Sequence, residues 1–283
     1  MRTIVYIVPS SSDIIRALNR KGIPYLITYT NNTTSIKAEI GGQKTKYLCS
    51  DRGLRFDQLA FIQKVKSHVQ GLNRPELNIF TKDVQYYKYN DLQDGFYDDV
   101  TEVDVNQAYW KIAYQKGYLS KEIYQQGLKV DKMTRLISWG AIATSSRTYL
   151  ADGNTKTLVE EKVNKRTRSY FFDVAQDLGW IMSEALNKYH NSILFFWVDA
   201  FFIQGRSAPA AIKRHMIESG LPCKTVPLWH IHVKNRGEFA DLITVTTAEG
   251  KEKPFHRKKG NRQLFQFQQY CSILQSANDL GTY

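Results

Sequence analysis

The sequence predicts an α+β protein in which helices lie against a mostly antiparallel sheet, preceded by a small mixed α/β domain. Three observations predict it. From Thr101 onward the hydrophobic patterns run strand, helices, helix, strand, helix, strand, strand, the order of an α+β layer. The run ILFFWVDAFFI, Ile193–Ile203, follows a long amphipathic helix and is too short and interrupted to span a membrane. The composition, 42% hydrophobic and 13% aromatic with 7 Pro and 17 Gly, is that of an ordered globular chain.

The first ninety-odd residues carry a strand, RTIVYIV, then a helix from Ser12 closed by Gly22, then strands IPYLITYT and TTSIKAEIGG. A second helix is expected from Arg55 to Val69. The Asp-rich stretch Tyr89–Asp99 reads as loop and sets a domain boundary. TEVDVNQAY begins as a strand and passes into a helix. Further helices start at Ser120 and near Asp131, and a short hairpin is expected over Gly153–Glu161. Phe171, Val174, Ala175, Leu178, Ile181, Ala185 and Tyr189 mark one face of the long helix. A helix from Ala208 ends at Gly220, and strands PLWHIHV and DLITVTT follow. The expected domains are therefore 1–95, mixed α/β; 96–255, the α+β layer; and 256–283, a basic C-terminal segment.

Lys and Arg exceed Asp and Glu to give a formal net charge of +12, which favours polyanion partners. The start lacks a signal-peptide core and no later run is long enough to cross a bilayer, so a cytoplasmic protein without membrane partners is expected. Cys49, Cys223 and Cys271 are odd in number and far apart, which argues against a disulfide framework or a zinc knuckle. His230 and His232 alternate on one strand face, but with no third ligand nearby they read as a polar face.

A lone buried carboxylate costs several kcal/mol unless cations or donors surround it, so Asp199 within its oily run needs a partner or a turn that lifts it into water. Glu102 and Asp104 alternate on a strand and share a face. Aspartates on neighbouring strands suit a pair of Mg²⁺ ions about 3.5–4 Å apart; solvated turn acids are the alternative.

D-V-N-Q-A-Y, Asp104–Tyr109, resembles motif A of family B DNA polymerases, usually D-x-x-S-L-Y-P, in its Asp and its Tyr; in the protein-primed phage members the same stretch reads D-V-N-S-L-Y. K-M-T-R-L-I-S-W-G, Lys132–Gly140, looks like motif B, K-x-x-x-N-S-x-Y-G. F-F-W-V-D-A-F, Phe195–Phe201, is similar to motif C, Y-x-D-T-D-S, with Asp199 on its second aspartate. The motifs lie in the family's order from Thr101 to Gln204, with the family's hairpin and long palm helix between the second and third.

The resemblance implies a polymerase-like palm over 96–255 with very short helical fingers at about 110–140. It implies Asp104 and Asp199 as catalytic metal ligands, the Val105 carbonyl as a further contact, and Mg²⁺ or Mn²⁺ as cofactor. Tyr109 would stack beneath the incoming sugar as a steric gate. Lys132, helped by Arg135, would bind the triphosphate, and Gly140 would admit the nascent base pair. Without the resemblance, Tyr109 reads as a core aromatic, Lys132 and Arg135 as a solvated helix face, and Asp199 as a hairpin-turn acid.

The sequence departs from the family where Trp197 replaces the first aspartate of motif C, Leu136 and Ile137 the N-S pair, and Trp110 the proline of motif A. Glu102 is a candidate to supply the missing charge. No proofreading motif is present. Lys162, Lys165, Arg166 and Arg168 form one basic patch for a primer–template; Arg257, Lys258 and Lys259, within HRKKGNRQLFQFQQ, form another, either a rudimentary thumb or an ordinary C-terminal helix. The expected activity is that of a template-directed DNA polymerase or primase-polymerase of a phage-like replicon, acting on primed DNA and dNTPs, with an accessory replication protein as a further candidate partner. A catalytically inactive palm serving as a replication scaffold and a metal-dependent nuclease are the alternatives.

Overall fold

Alternation of apolar and polar residues shapes most strands, and the chain turns where glycines take a left-handed conformation, as at Gly22 and Gly220. The computed structural model describes residues 3–8, 10–30, 33–50, 54–79, 87–89, 92–153, 155–235 and 240–258. Along the chain the elements are β1 (Ile4–Val8), α1 (Ser11–Arg20), β2 (Tyr25–Tyr29), β3 (Thr33–Ile40), β4 (Gln43–Ser50), α2 (Phe56–Gly71), β5 (Tyr87–Tyr89), β6 (Gly95–Tyr97) and β7 (Val100–Val105). There follow α3 (Ala108–Gln115), α4 (Lys121–Lys129), α5 (Lys132–Gly140), β8 (Ser145–Asp152), β9 (Thr155–Val163) and α6 (Lys165–Lys188). The remainder is β10 (Ile193–Trp197), β11 (Ala200–Gln204), α7 (Ala208–Glu218), β12 (Cys223–Asn235), β13 (Ala240–Thr247) and β14 (Glu252–Lys258). The fold is α+β. Among the described residues no helix is long and apolar enough to cross a membrane.

The described residues pack as two units. The first is built from the chain up to Glu76 and from Gln125–Phe171; the second from Leu77–Tyr124 and from Phe172 onward. In the first, six strands form a sheet in the order β1-β4-β3-β2-β8-β9. Only the β1–β4 pair is parallel. Leu18 of α1 packs with Tyr25, Ile27, Ile36 and Ala38 on one sheet face. The hairpin expected before the long helix forms as β8–β9, and β8 pairs with β2.

In the second unit the strand order is β14-β13-β12-β7-β11-β10-β5, with β6 pairing to β12. Every pair is antiparallel. The strand read as PLWHIHV begins earlier, at Cys223. Its first residues pair with β7, and after an irregularity between Leu228 and His230 the rest pair with β13. The Asp-rich stretch read as loop contains β6, which has too few residues for a periodic signal and exists through its pairing with β12.

The oily run is explained by burial on both faces. Phe195, Ala200 and Phe202 join Ile231, Val233, Ile243, Val245 and Phe255 in one core, while Phe196, Phe201 and Ile203 on the opposite face are also fully buried. Burying each phenylalanine is worth about 1.5–3 kcal/mol. On that opposite side α7, whose Ile212 and Met216 are buried, packs against β7, β11 and β12.

Candidate active site

The site grows from the end of β7. Alternation buries Val103 and Val105 on one face and sets Glu102 and Asp104 on the other. Asp104 lies between two neighbours, opposite Ala200 of β11 and opposite Lys224 of β12. Glu102 has Phe202 and Val226 in the corresponding places.

Asp199 sits in the two-residue turn joining β10 to β11, because Trp197 pairs directly with Ala200. The Val105 N–H donates to the Asp199 carbonyl at 2.7 Å, which pins the turn to the end of β7. Val198, the other turn residue, is buried with φ +54°, a left-handed conformation that disfavours a β-branched side chain by about 1–2 kcal/mol. Trp197, where the resembling family keeps an acid, is partly buried against the core, its ring 5.5 Å from that of Phe255 in an edge-on arrangement.

Two lysines answer the acids. The Lys224 Nζ lies 2.9 Å from Oδ2 of the 9%-exposed Asp104, and Lys253 Nζ lies 3.5 Å from Glu102 Oε2. The hydrogen bond and charge of Asp104 raise the Lys224 pKa above the ordinary lysine value, and Glu102 and Asp199 add to the effect. One ammonium therefore feels all three carboxylates. Burial and the Asp104 charge together push the Cys223 thiol up to about 12, against a small opposing effect of Lys213.

Hard oxygen donors of this kind suit Mg²⁺ or Mn²⁺, so Asp104 and Asp199, with Glu102 behind them, are the residues that could hold such an ion. Among the described residues, no group of three or more His, Cys, Asp or Glu has its donors arranged around a single ion position. Lys224 occupies an oxygen of Asp104 that a metal would need. Neither Lys224 nor Lys253 stands out in the sequence. The usable signal is a cation alternating with apolar residues at the start of a strand, and reading that strand from Pro227 hides it.

The other sequence candidates fall in several places. Tyr109 is 5% exposed in the first turn of α3, a helix entered through Gln107 at φ +58°. Its neighbour Trp110 is buried and donates its indole N–H to the Tyr124 carbonyl at 3.2 Å. Lys132, Arg135 and Gly140 lie on α5, in the first unit, whereas Glu102, Asp104, Val105, Tyr109 and Asp199 belong to the second. Lys132 is exposed at the start of α5. Arg135 Nη1 donates to the carbonyls of Gly127 and Val130 at 2.8 and 3.2 Å, closing the end of α4. Asp131 caps α5 by accepting from the Thr134 N–H at 2.8 Å. Hydrogen bonds from the Thr134 hydroxyl, the Thr134 backbone and Gln58 hold its carboxyl well below the usual range. Gly140 is helical, and a Cβ there would meet nothing within 4 Å.

Of the first basic patch, Lys162 pairs with Glu160 at 2.6 Å, Lys165 is exposed, and Arg166 donates to the Gln70 carbonyl at 2.6 Å. Arg168 is half-buried, its N–H bonded to the Asn164 carbonyl. The backbones of Arg257 and Lys258 close β14 against β13, their side chains lying outside the described residues. Lys259 and the rest of the C-terminal segment lie outside them too, as does Cys271.

Compared with known proteins, the chain matches no protein-family model and no curated protein sequence.

Proposed function

We propose that the chain is a template-directed nucleotidyltransferase built on a polymerase-like palm, adding dNTPs to a 3′-hydroxyl on DNA. The observation that carries this reading is the seating of the Asp199 turn on the end of β7, where the Val105 N–H donates to the Asp199 carbonyl at 2.7 Å, next to Asp104 and on the strand whose same face carries Glu102. The three motifs in family order support it, and so does the net charge of +12. In the reaction the primer 3′-oxygen attacks the α-phosphorus, its proton departs, and the bond to the bridging oxygen of pyrophosphate breaks. Mg²⁺ bound at the acids would polarise the attacking hydroxyl and neutralise the leaving charge. Asp104 and Asp199 would hold that ion, and Tyr109 would bound the sugar pocket.

A second reading, a catalytically inactive palm that binds nucleic acid in a phage-like replication complex, is favoured by the Lys224–Asp104 pair, which supplies the acids with a protein cation. Primer extension and Mn²⁺ binding by electron paramagnetic resonance separate the two. In the first reading the wild type extends a primer with Mg²⁺ or Mn²⁺, and D104N loses both extension and Mn²⁺ binding. K224M, relieved of the competing ammonium, binds Mn²⁺ about tenfold more tightly, equivalent to about 1.4 kcal/mol. If neither wild type nor K224M binds Mn²⁺ or incorporates a nucleotide, the polymerase reading is wrong and the scaffold reading stands. A lane without primer tests for de novo priming.

A further inference from the structure

The sheet of the first unit has a face that α1 does not cover. Tyr25 and Ile27 of β2, and Ile36 and Ala38 of β3, are buried beneath that helix. Alternation therefore turns Leu26, Thr28, Ser35 and Lys37 to the other side. Register aligns this face across four strands: Lys46 lies opposite Lys37, Lys37 opposite Leu26, and Leu26 opposite Leu150. The adjoining row is Leu48, Ser35, Thr28 and Thr148. A groove of about 510 Å³ runs over these rows, lined among others by Lys37, Lys46, Lys162, Ser35, Thr28 and Thr148.

The arrangement is costly for a surface without a ligand. Like charges directly opposite on neighbouring strands destabilise a sheet, and Lys37 faces Lys46 in that way. Of the neighbouring cations, Lys162 pairs at 2.6 Å with Glu160, which also lines the groove, and Lys44 stands opposite Glu39 in register. Among the described residues no carboxylate forms an ion pair with Lys37 or Lys46. Beside them the Thr28 and Thr148 hydroxyls bond to each other at 2.9 Å, leaving lone pairs and a proton to share. Leu26, Leu150 and Val159 add exposed apolar surface, Val159 at 57% exposure.

The geometry points to a binding groove for single-stranded nucleic acid on this face, with Lys37 and Lys46 on successive phosphates. Ammonium groups and hydroxyls are the usual partners of phosphate oxygens. The apolar side chains beside them choose the strand form. A duplex keeps its base faces stacked inside and offers only phosphate and sugar to such a surface, whereas the unstacked bases of a single strand can bury apolar area on Leu26 and Val159 in the groove and on Leu150 in the same row as Leu26. With no side chain arranged to read base edges, the groove holds the strand without regard to sequence. Lys37 and Lys46, which carry the proposal, lie outside the candidate active site; Lys162 is shared with the first basic patch.

The test measures binding of fluorescein-labelled oligo-dT to the full chain by anisotropy across a salt series, with a duplex of equal length as the second probe. K37M/K46M is expected to weaken oligo-dT binding and to reduce the slope of log K against log salt by about 1.4, near 0.7 for each phosphate that a lysine no longer neutralises. K37R/K46R restores the slope. Acetylation footprinting of the wild type supplies a readout that does not depend on how a variant folds: oligo-dT protects Lys37 and Lys46, and inorganic phosphate at equal phosphorus concentration does not. Wild-type affinity and slope in K37M/K46M overturn the proposal, as do lysines equally reactive with and without oligo-dT, or protection by duplex alone. If the double variant instead dissociates a dimer and leaves oligo-dT binding unchanged, the face is a contact between copies of the chain and the proposal is again wrong.

Discussion

Restoring the acid that the resembling family keeps at Trp197 is expected to damage this protein rather than improve it. Trp197 is wedged edge-on against Phe255 at the margin of the core that Phe195 and Phe202 fill. Truncating a fully buried tryptophan costs about 3–5 kcal/mol, so a partly buried one loses roughly half of that, about 2 kcal/mol. The aspartate of W197D would also lie in the same row of the sheet as Asp104, with Ala200 between them. Two strand spacings make that roughly 10 Å, where like charges repel by about 1–2 kcal/mol before salt screening. The total of about 3–4 kcal/mol lowers the melting temperature by roughly 10 °C in a chain of this size. W197F, which keeps a ring against Phe255, falls by about 1 kcal/mol. Thermal unfolding by circular dichroism gives the shifts, and primer extension on the same samples gives the activity. A W197D protein that melts within about 2 °C of wild type and incorporates nucleotides faster would refute the assignment of Trp197 to the core.

Two further outcomes follow from the same geometry. G140A is expected to raise stability by about 0.4–1 kcal/mol, since the position is helical and a Cβ has open space; a urea midpoint at or below that of the wild type would show that the added methyl is not accommodated. Stability is expected to fall on the alkaline side of neutrality. An unfolded Cys223 ionises near pH 8.5 while the folded thiol, raised to about 12, keeps its proton. Between those values the unfolded state binds fewer protons and the slope of stability against pH is negative. Lys224, also raised, contributes stability that is present below its unfolded value near 10.4 and is lost as pH rises through the folded one. Urea midpoints measured at neutral pH and near pH 10 should converge partly in C223A, whose thiol no longer contributes to that slope.

The elements around Asp104 and Asp199 are legible because their signals are local. TEVDVNQAY carries its own change from period two to a helix, and Ile193–Ile203 shows two apolar halves broken by a turn. What pairs with what is not local. The β8–β9 hairpin is readable as a hairpin, but its alignment with β2 depends on Thr28 meeting Thr148 and Leu26 meeting Leu150, a match that no spacing within either segment encodes. Lys224 escapes for the same reason. It is one of many lysines until the register of β12 sets it directly opposite Asp104. Trp197 is readable as a departure from a motif; its packing on Phe255 requires β14, a strand formed from residues that read as the approach to a basic tail.

The two lysines also explain how Asp104 and Glu102 can share the edge of a hydrophobic core. An unpaired buried carboxylate is penalised by several kcal/mol or takes up a proton. Here Lys224 and Lys253 arrive on β12 and β14, so these two charges are answered by the same strand pairings that close the core. A half-exposed ammonium on a flexible stem satisfies Asp104 in the folded chain and is free to swing into water. In the polymerase reading a metal would therefore have to outcompete Lys224 rather than fill an uncompensated site. On this account D104N should leave the core standing with Lys224 free, while the charge-conserving exchange K224R should hold the acids in a two-pronged grip and weaken Mn²⁺ binding below wild type.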